Sequence, residues 1–214
     1  MSKDLSHLRK DYTLDGLTEE DAGRDPFALF ARWFDQAVAS GNPMPEAMTL
    51  ATVAADGQPT TRVVLLKGFD ERGFAFYTNY ESRKGREMEG NTRVSVNFFW
   101  PELERQVRID GTVTKVTPEE SDEYFATRPE GSRIGAHASH QSAVLASREE
   151  LETRVAVLEA QFAGGEIPRP AHWGGYRIDP SAIEFWQGRP SRLHDRIRFR
   201  RDAPHAWTRE RLSP

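Results

Sequence analysis

Ala47-Met48-Thr49-Leu50-Ala51-Thr52-Val53-Ala54-Ala55-Asp56-Gly57-Gln58-Pro59-Thr60-Thr61-Arg62-Val63-Val64-Leu65-Leu66-Lys67 decides the fold class. Two β-favouring runs, 47–54 and 59–67, flank Asp56-Gly57. A tight hairpin turn needs positive φ at its centre, so Asp-Gly between such runs predicts a β-hairpin. Toward the C-terminus the pattern repeats. Asp70-Glu71-Arg72-Gly73 turns the chain into a strand at 74–77, and further strands are predicted at 93–100 and 104–116. Others follow at 173–178, 183–187 and 193–200, with a short one near Trp207.

Helical signals fall only in the gaps. Asp25-Pro26 supplies an N-cap and a first-turn proline, Leu29, Phe30, Trp33, Phe34, Ala37 and Val38 form an apolar stripe, and Gly41 stops the helix. Thr117-Pro118-Glu119-Glu120 and Ser147-Arg148-Glu149-Glu150 read as capping boxes, opening helices that end near Arg128 and Phe162. Antiparallel strands at regular spacing with helices between them predict a mainly β fold, a closed barrel with peripheral helices. A dinucleotide-type fold is disfavoured: there is no βαβ alternation and no Gly-rich fingerprint. Residues 1–24 read as a flexible, poorly packed N-terminal arm, and 25–214 as a single domain.

The chain has 214 residues, 29% of them charged, with a net charge of −4. That length supports a sizeable core, and the charge argues mildly against a nucleic-acid partner. No apolar run approaches the roughly 18 residues of a membrane span. The polar N-terminus carries no export signal, and zero cysteines exclude disulfides and thiolate catalysis. A cytoplasmic location is expected. The basic residues are 24 Arg and 5 Lys. Genome composition explains such a bias, and so does bidentate gripping of oxyanions, which Lys cannot perform.

Several stretches carry more chemistry than packing requires. Arg62-Val63-Val64-Leu65-Leu66-Lys67 is a buried-strand core bracketed by cations. Tyr77-Thr78 ends a strand just before Ser82-Arg83-Lys84, where a helix start offers free N–H groups beside two cations, a credible phosphate site or a solvated basic turn. Gln106 lies mid-strand and needs a partner if it points inward. Tyr124, Arg128 and Ser132 are three donors near one helix end, as a phosphate requires, though Tyr124 also suits a core with a wet tip. His137 and His140 lack a third ligand at metal spacing, so no metal site is expected. In Ile183-Glu184-Phe185-Trp186-Gln187-Gly188-Arg189-Pro190-Ser191-Arg192-Leu193-His194-Asp195-Arg196, Gly188 and Pro190 supply a turn. Arg192, His194 and Arg196, two apart, are expected to share one strand face and converge on a ligand.

That last segment closely resembles the C-terminal signature of the pyridoxamine 5′-phosphate oxidases: Glu-Phe-Trp-Gln, a four-residue spacer and Arg-Leu-His-Asp-Arg in order. The resemblance runs from about Leu8 to Pro214. It implies a split β-barrel of the FMN-binding type, a homodimer with FMN between subunits, and oxidation of pyridoxamine or pyridoxine 5′-phosphate to pyridoxal 5′-phosphate by oxygen with peroxide release. By the same resemblance, Arg62, Val63, Val64, Leu65, Leu66 and Lys67 run along the flavin, with Lys67 also meeting substrate. Tyr77, Thr78, Arg83 and Lys84 serve the FMN phosphate, and Gln106 serves the ring edge. Gln141, Ser142, Trp186 and Arg196 complete the cofactor set. The arm folds over the substrate through Arg9 and Tyr12, and Tyr124, Arg128 and Ser132 hold its phosphate. Arg192 and His194, with Leu193 between them, orient the reacting carbon, while Arg196, Lys67 and Arg62 offset charge on the reduced flavin. The rival class is a non-catalytic flavin-binding barrel that stores its ligand. An RNA-binding basic hairpin is a third, and the aromatic platforms of known modules are missing for it.

Overall fold

The computed structural model describes residues 3–5, 7–8 and 11–214. In chain order its elements are α1 (Glu19–Ala22), α2 (Pro26–Ala39), β1 (Ala47–Val53), β2 (Pro59–Leu65), β3 (Gly68–Asp70), β4 (Gly73–Asn79), α3 (Arg83–Gly90), β5 (Arg93–Trp100), β6 (Arg105–Lys115), α4 (Pro118–Ala126), α5 (Glu130–Ala138), α6 (Arg148–Phe162), β7 (Trp173–Gln187), β8 (Asp195–Ala203) and β9 (Ala206–Arg211). A 3-10 turn, Pro190–Arg192, joins β7 to β8. The sheet order is β2-β1-β5-β6-β7-β4-β3, with β8 pairing with β7 and β9 with β8. The chain divides into two compact units. The first comprises Met1–Thr49, Val96–Asp110 and Pro180–Pro214, the second Leu50–Ser95 and Gly111–Asp179.

In the first unit, α2 begins where the Asp25 carboxylate accepts from the Phe27 N–H (2.9 Å) with Pro26 in the first turn. Its inner face buries Leu29, Phe30, Trp33 and Ala37, with Phe30 edge-on to Phe98 (5.3 Å) and Trp33 edge-on to Phe185 (5.3 Å). Each large apolar side chain so buried contributes about 1.5–3 kcal/mol. The stripe is one residue shorter than expected, since Val38 is 54% exposed. Ile197 and Phe199 of β8 are fully buried, while Arg196 and Arg198 on the alternate face remain partly accessible. Leu17 and Ala22 are buried, and α1 is closed by a Thr18–Asp21 capping box.

In the second unit, β4 is inaccessible along nearly its whole length and pairs antiparallel with β7, Phe74 opposite Ile178 and Asn79 opposite Trp173. Thr117 and Glu120 form the expected capping box of α4. At α6 only half of the expected box forms: Ser147 caps the Glu150 N–H, but the Glu150 carboxylate accepts from Ala146 instead. Phe125, Ile134, Ala136, Ile167 and Trp173 make the small core under α5 and α6.

Three sequence expectations need correction. The strands foreseen at 173–178 and 183–187 are one strand, β7. Pro180 is tolerated because it falls between the last pair with β4, at Ile178, and the first with β8, at Ala182. The 62–67 segment is not a buried-strand core. β2 stands at the edge of the sheet order, Val63 is 63% exposed, and Leu66 alone in the segment is buried. Arg192 and His194 do not share a strand face with Arg196. They lie in the connection before β8, where Ser191 (φ 57°) and Arg192 (φ 65°) are both left-handed.

Candidate functional site

The second unit holds an anion cradle at the start of α3. Ser82 caps the helix by accepting from the Gly85 N–H, and the Arg83 N–H donates to the Ser142 hydroxyl (3.1 Å). The Lys84 ammonium donates to Thr78 Oγ1 (3.0 Å), Ser82 Oγ (3.3 Å) and Gln141 Oε1 (2.7 Å). All three are neutral oxygens. Burial and the nearby Arg62 cation push Lys84 down to about 8. A cation destabilised in this way is strongly stabilised by an arriving dianion. A helix start, a cation and three hydroxyls suit the phosphate of FMN.

Behind the cradle, Glu87 is buried and accepts from four donors: Thr52, Thr60 (2.7 Å), Arg62 Nη2 (3.1 Å) and Arg83 Nε (2.9 Å). Burial works against its charge, but the four bonds together outweigh it and hold Glu87 at about 2. One carboxylate therefore fixes two of the expected cofactor residues, Arg62 and Arg83. Sequence reading missed Glu87. Its signal was the i,i+4 spacing from Arg83.

A second cluster in the same unit is aromatic and cationic. Tyr77 and Tyr124 stack at 3.9 Å, and Trp173 lies parallel to Tyr77 at 5.7 Å. The Arg128 guanidinium sits 4.5 Å above Trp173 and 5.5 Å from Phe125. Its Nη1 is buried without a hydrogen-bond partner among the described residues. Burial lowers the pKa of Arg128 and raises that of Tyr124. A buried N–H left without a partner on a cation is a donor that an anion or a water can accept from. Ser132 is exposed on the first turn of α5. Tyr77, expected among the residues that serve the FMN phosphate, stacks on Tyr124 and Trp173 beside Arg128.

In the first unit, the β7–β8 connection presents His194. The Arg189 N–H donates to its Nδ1 (3.1 Å), so the neutral ring carries its proton on Nε2. Burial and the Arg192 cation lower its pKa. The ring tilts against Trp186 at 4.5 Å, and Tyr12 meets both edge-on at 5.6 Å. Arg192 and Leu193 are exposed, Leu193 at 69%. Arg196, opposite Trp186 in the ladder, donates to Glu184 (2.8 Å), which raises its pKa, and to the Ser213 carbonyl (2.9 Å). Much of its charge is therefore already matched.

Of the remaining expected residues, Gln106 and Val64 are half-buried, Leu65 likewise, and Lys67 is exposed just beyond β2. Arg9 lies outside the described residues. His137 contacts the Pro168 carbonyl and packs on Phe162. No helix among the described residues is long and apolar enough to cross a membrane.

These features define a class first: a split-barrel protein of the FMN-binding type. A solved FMN-binding protein of Nostoc punctiforme, related to pyridoxamine 5′-phosphate oxidase, shares the fold at a TM-score of 0.70 and 16% identity, over 90% of this chain and all of that one. The pyridoxamine 5′-phosphate oxidase model matches residues 34–162, and the pyridoxine 5′-phosphate oxidase C-terminal dimerisation region matches 173–214. The chain belongs to the pyridoxamine 5′-phosphate oxidase family and is an oxidoreductase of vitamin B6 metabolism. It is 57% identical to the pyridoxine/pyridoxamine 5′-phosphate oxidase of Rubrobacter xylanophilus, over 99% of this chain and 97% of that one. The Burkholderia multivorans enzyme of the same name is 58% identical, over 98% and 99%. PhzG from Burkholderia lata, solved with tetrahydrophenazine-1-carboxylic acid, is 34% identical with a TM-score of 0.87, over 94% and 99%.

Proposed function

We propose that the protein is an FMN-dependent oxidase that converts pyridoxamine or pyridoxine 5′-phosphate to pyridoxal 5′-phosphate, as a homodimer, with oxygen as acceptor. The observation that carries this reading is the presence of two separate anion-ready clusters, one around Lys84 and one around Arg128. Two phosphorylated ligands, cofactor and substrate, account for both. A flavin-storage protein needs only the first.

The redox chemistry would be the flavin's: two electrons and two protons would pass from the substrate to oxygen as hydrogen peroxide, giving the aldehyde directly from the CH–OH group and an imine from the CH–NH2 group, which water hydrolyses to the aldehyde with release of ammonia. The chain's own residues bind and orient. Lys84, the Arg83 N–H, Thr78, Gln141 and Ser142 hold the cofactor phosphate, with Arg62 steadied by Glu87, and the 62–67 strand and Gln106 serve the ring. Arg128, Tyr124, Ser132 and Lys67 hold the substrate phosphate. Arg192 and neutral His194 orient the reacting carbon, with Trp186 and Tyr12 packed on the imidazole. Among readings of the substrate, a phosphate ester fits better than a phenazine carboxylate: the relatives named for the phosphate are 57–58% identical, PhzG 34%.

Purified protein should show flavin absorption and release peroxide stoichiometrically with pyridoxal 5′-phosphate on adding pyridoxamine 5′-phosphate. Flavin without turnover would restore the storage reading. Absence of flavin affinity would refute both.

A further inference from the structure

Glu104 stands outside every role assigned so far. It is 3% exposed, with a left-handed backbone (φ 53°), a conformation uncommon for residues other than glycine. Its carboxylate oxygen Oε2 accepts from two successive backbone N–H groups of the arm, Thr13 (2.9 Å) and Leu14 (3.2 Å). Its carbonyl accepts from the Gly188 N–H (2.8 Å) and from Gln187 Nε2 (3.3 Å). A single residue thus joins the arm to the end of β7. Tyr12, immediately before the two held amides, lies on Gly188 and meets Trp186 and His194 edge-on. A Cβ added at Gly188 would come within 2.7 Å of Tyr12 Cγ, so the glycine makes room for that ring.

We infer that Glu104 is a positioning residue that sets Tyr12 against His194 and Trp186 by fixing the arm's backbone. The side chains of Thr13 and Leu14 are exposed, so backbone hydrogen bonds rather than packing hold this part of the arm: the two amides to Glu104, and the Leu14 carbonyl, which accepts from Arg189 Nη1 (3.5 Å). Charge-assisted acceptance by a buried carboxylate is roughly twice as strong as a neutral bond, which suits one group holding two amides. Farther along, the Leu17 N–H donates to Asp195 and its carbonyl accepts from Arg211, so the arm stays attached there without Glu104. Loss of Glu104 should release the stretch around Tyr12 and leave the rest docked.

The test uses full-length, FMN-loaded protein and two readouts. In Glu104→Ala the amides of residues 13 and 14 should exchange with deuterium about tenfold faster or more, while the amide of Leu17 keeps its protection. Glu104→Gln retains one acceptor oxygen and should fall between. The kinetic readout rests on the function proposed above. Glu104→Ala and Tyr12→Ala should each lower kcat/KM for pyridoxamine 5′-phosphate by about tenfold, and the double variant should fall hardly further, because both break the same contact. Gly188→Ala would set a methyl against the Tyr12 ring and should reproduce the kinetic loss, and Glu104→Gln keeps the exchange test decisive if Glu104→Ala does not fold. Unchanged exchange at residues 13 and 14 overturns the inference, and so do multiplicative losses in the double variant. A wild type inactive on this substrate sinks the proposed reaction alone and leaves the exchange result to decide the role of Glu104.

Discussion

The anion cradle at α3 and the His194 connection are built on opposite principles. Around Lys84 and Glu87 the polar groups are hydrogen-bonded to one another: Lys84 to three oxygens, Glu87 to four donors. Around His194, Arg192 is exposed on a left-handed backbone, and one backbone hydrogen bond, from the Arg189 N–H, with ring contacts to Trp186 and Tyr12 holds the imidazole. On the proposed function, the first arrangement suits a ligand that stays. On the same proposal, the second keeps a cation and an imidazole open to a ligand that enters and leaves. Cofactor binding should accordingly depend on a buried network, and turnover on a few exposed side chains.

That contrast predicts its own sharpest test. Arg192→Leu and His194→Ala should each lower kcat/KM by about a hundredfold or more while FMN affinity hardly changes, as expected for misplacing a reacting group. Steady-state kinetics beside flavin titration separate the two. If flavin is lost and turnover of reconstituted protein is intact, the contrast is reversed.

The buried network should respond in stability. Glu87→Ala leaves Arg62 without its buried partner and should cost about 3 kcal/mol, read by denaturant unfolding. The wild type has a matching pH signature. With the folded pKa of Glu87 depressed to about 2, its contribution is full above its ordinary value of 4.5 and is lost as pH falls toward 2. Glu87→Ala should show less acid sensitivity in that window. Equal sensitivity would mean that other groups govern it.

A smaller effect belongs to Lys84. Held down to about 8, it is charged below that pH and neutral above it, and a phosphate dianion favours the charged form. FMN affinity should be nearly constant between about pH 7 and 8, where the phosphate is a dianion, and fall by up to about tenfold per pH unit above it. Lys84→Met should bind FMN about tenfold more weakly at pH 7 and lose that dependence. Affinity of the wild type that stays flat to pH 9.5 would contradict the assignment.

How legible was all this beforehand? Asp56-Gly57 and the Asp25-Pro26 cap specify local geometry directly, so the β1–β2 hairpin and α2 were readable, and Gly57 does take φ 86°. β7 was not, because Pro180 usually ends a strand and only the change of pairing partner shows why it does not. α5 was missed because Gly131 and Gly135 dilute its helical signal, and the Phe125–Trp173 cluster that stabilises it is nonlocal. At the site, Lys84 and Arg83 announced themselves as cations at a helix start. Glu87 and Glu104 did not: carboxylates are usually solvated, and apart from the i,i+4 spacing of Arg83 and Glu87 nothing local says that four donors, or two arm amides, will meet one in the interior. The left-handed turn at Ser191 and Arg192 was likewise hidden, since neither residue favours positive φ.

The central claim is that the Arg128 cluster exists to bind a substrate phosphate. The direct measurement is kcat/KM for pyridoxamine 5′-phosphate and for free pyridoxamine, in wild type and in Arg128→Ala. Charge-assisted hydrogen bonds contribute about 1.5–3 kcal/mol each, so two of them should favour the phosphorylated substrate by on the order of 10²–10⁴-fold in the wild type. Arg128→Ala should shrink that ratio by about tenfold or more while leaving FMN affinity nearly unchanged. A wild-type ratio below about tenfold, or a ratio untouched by the substitution, would contradict the account.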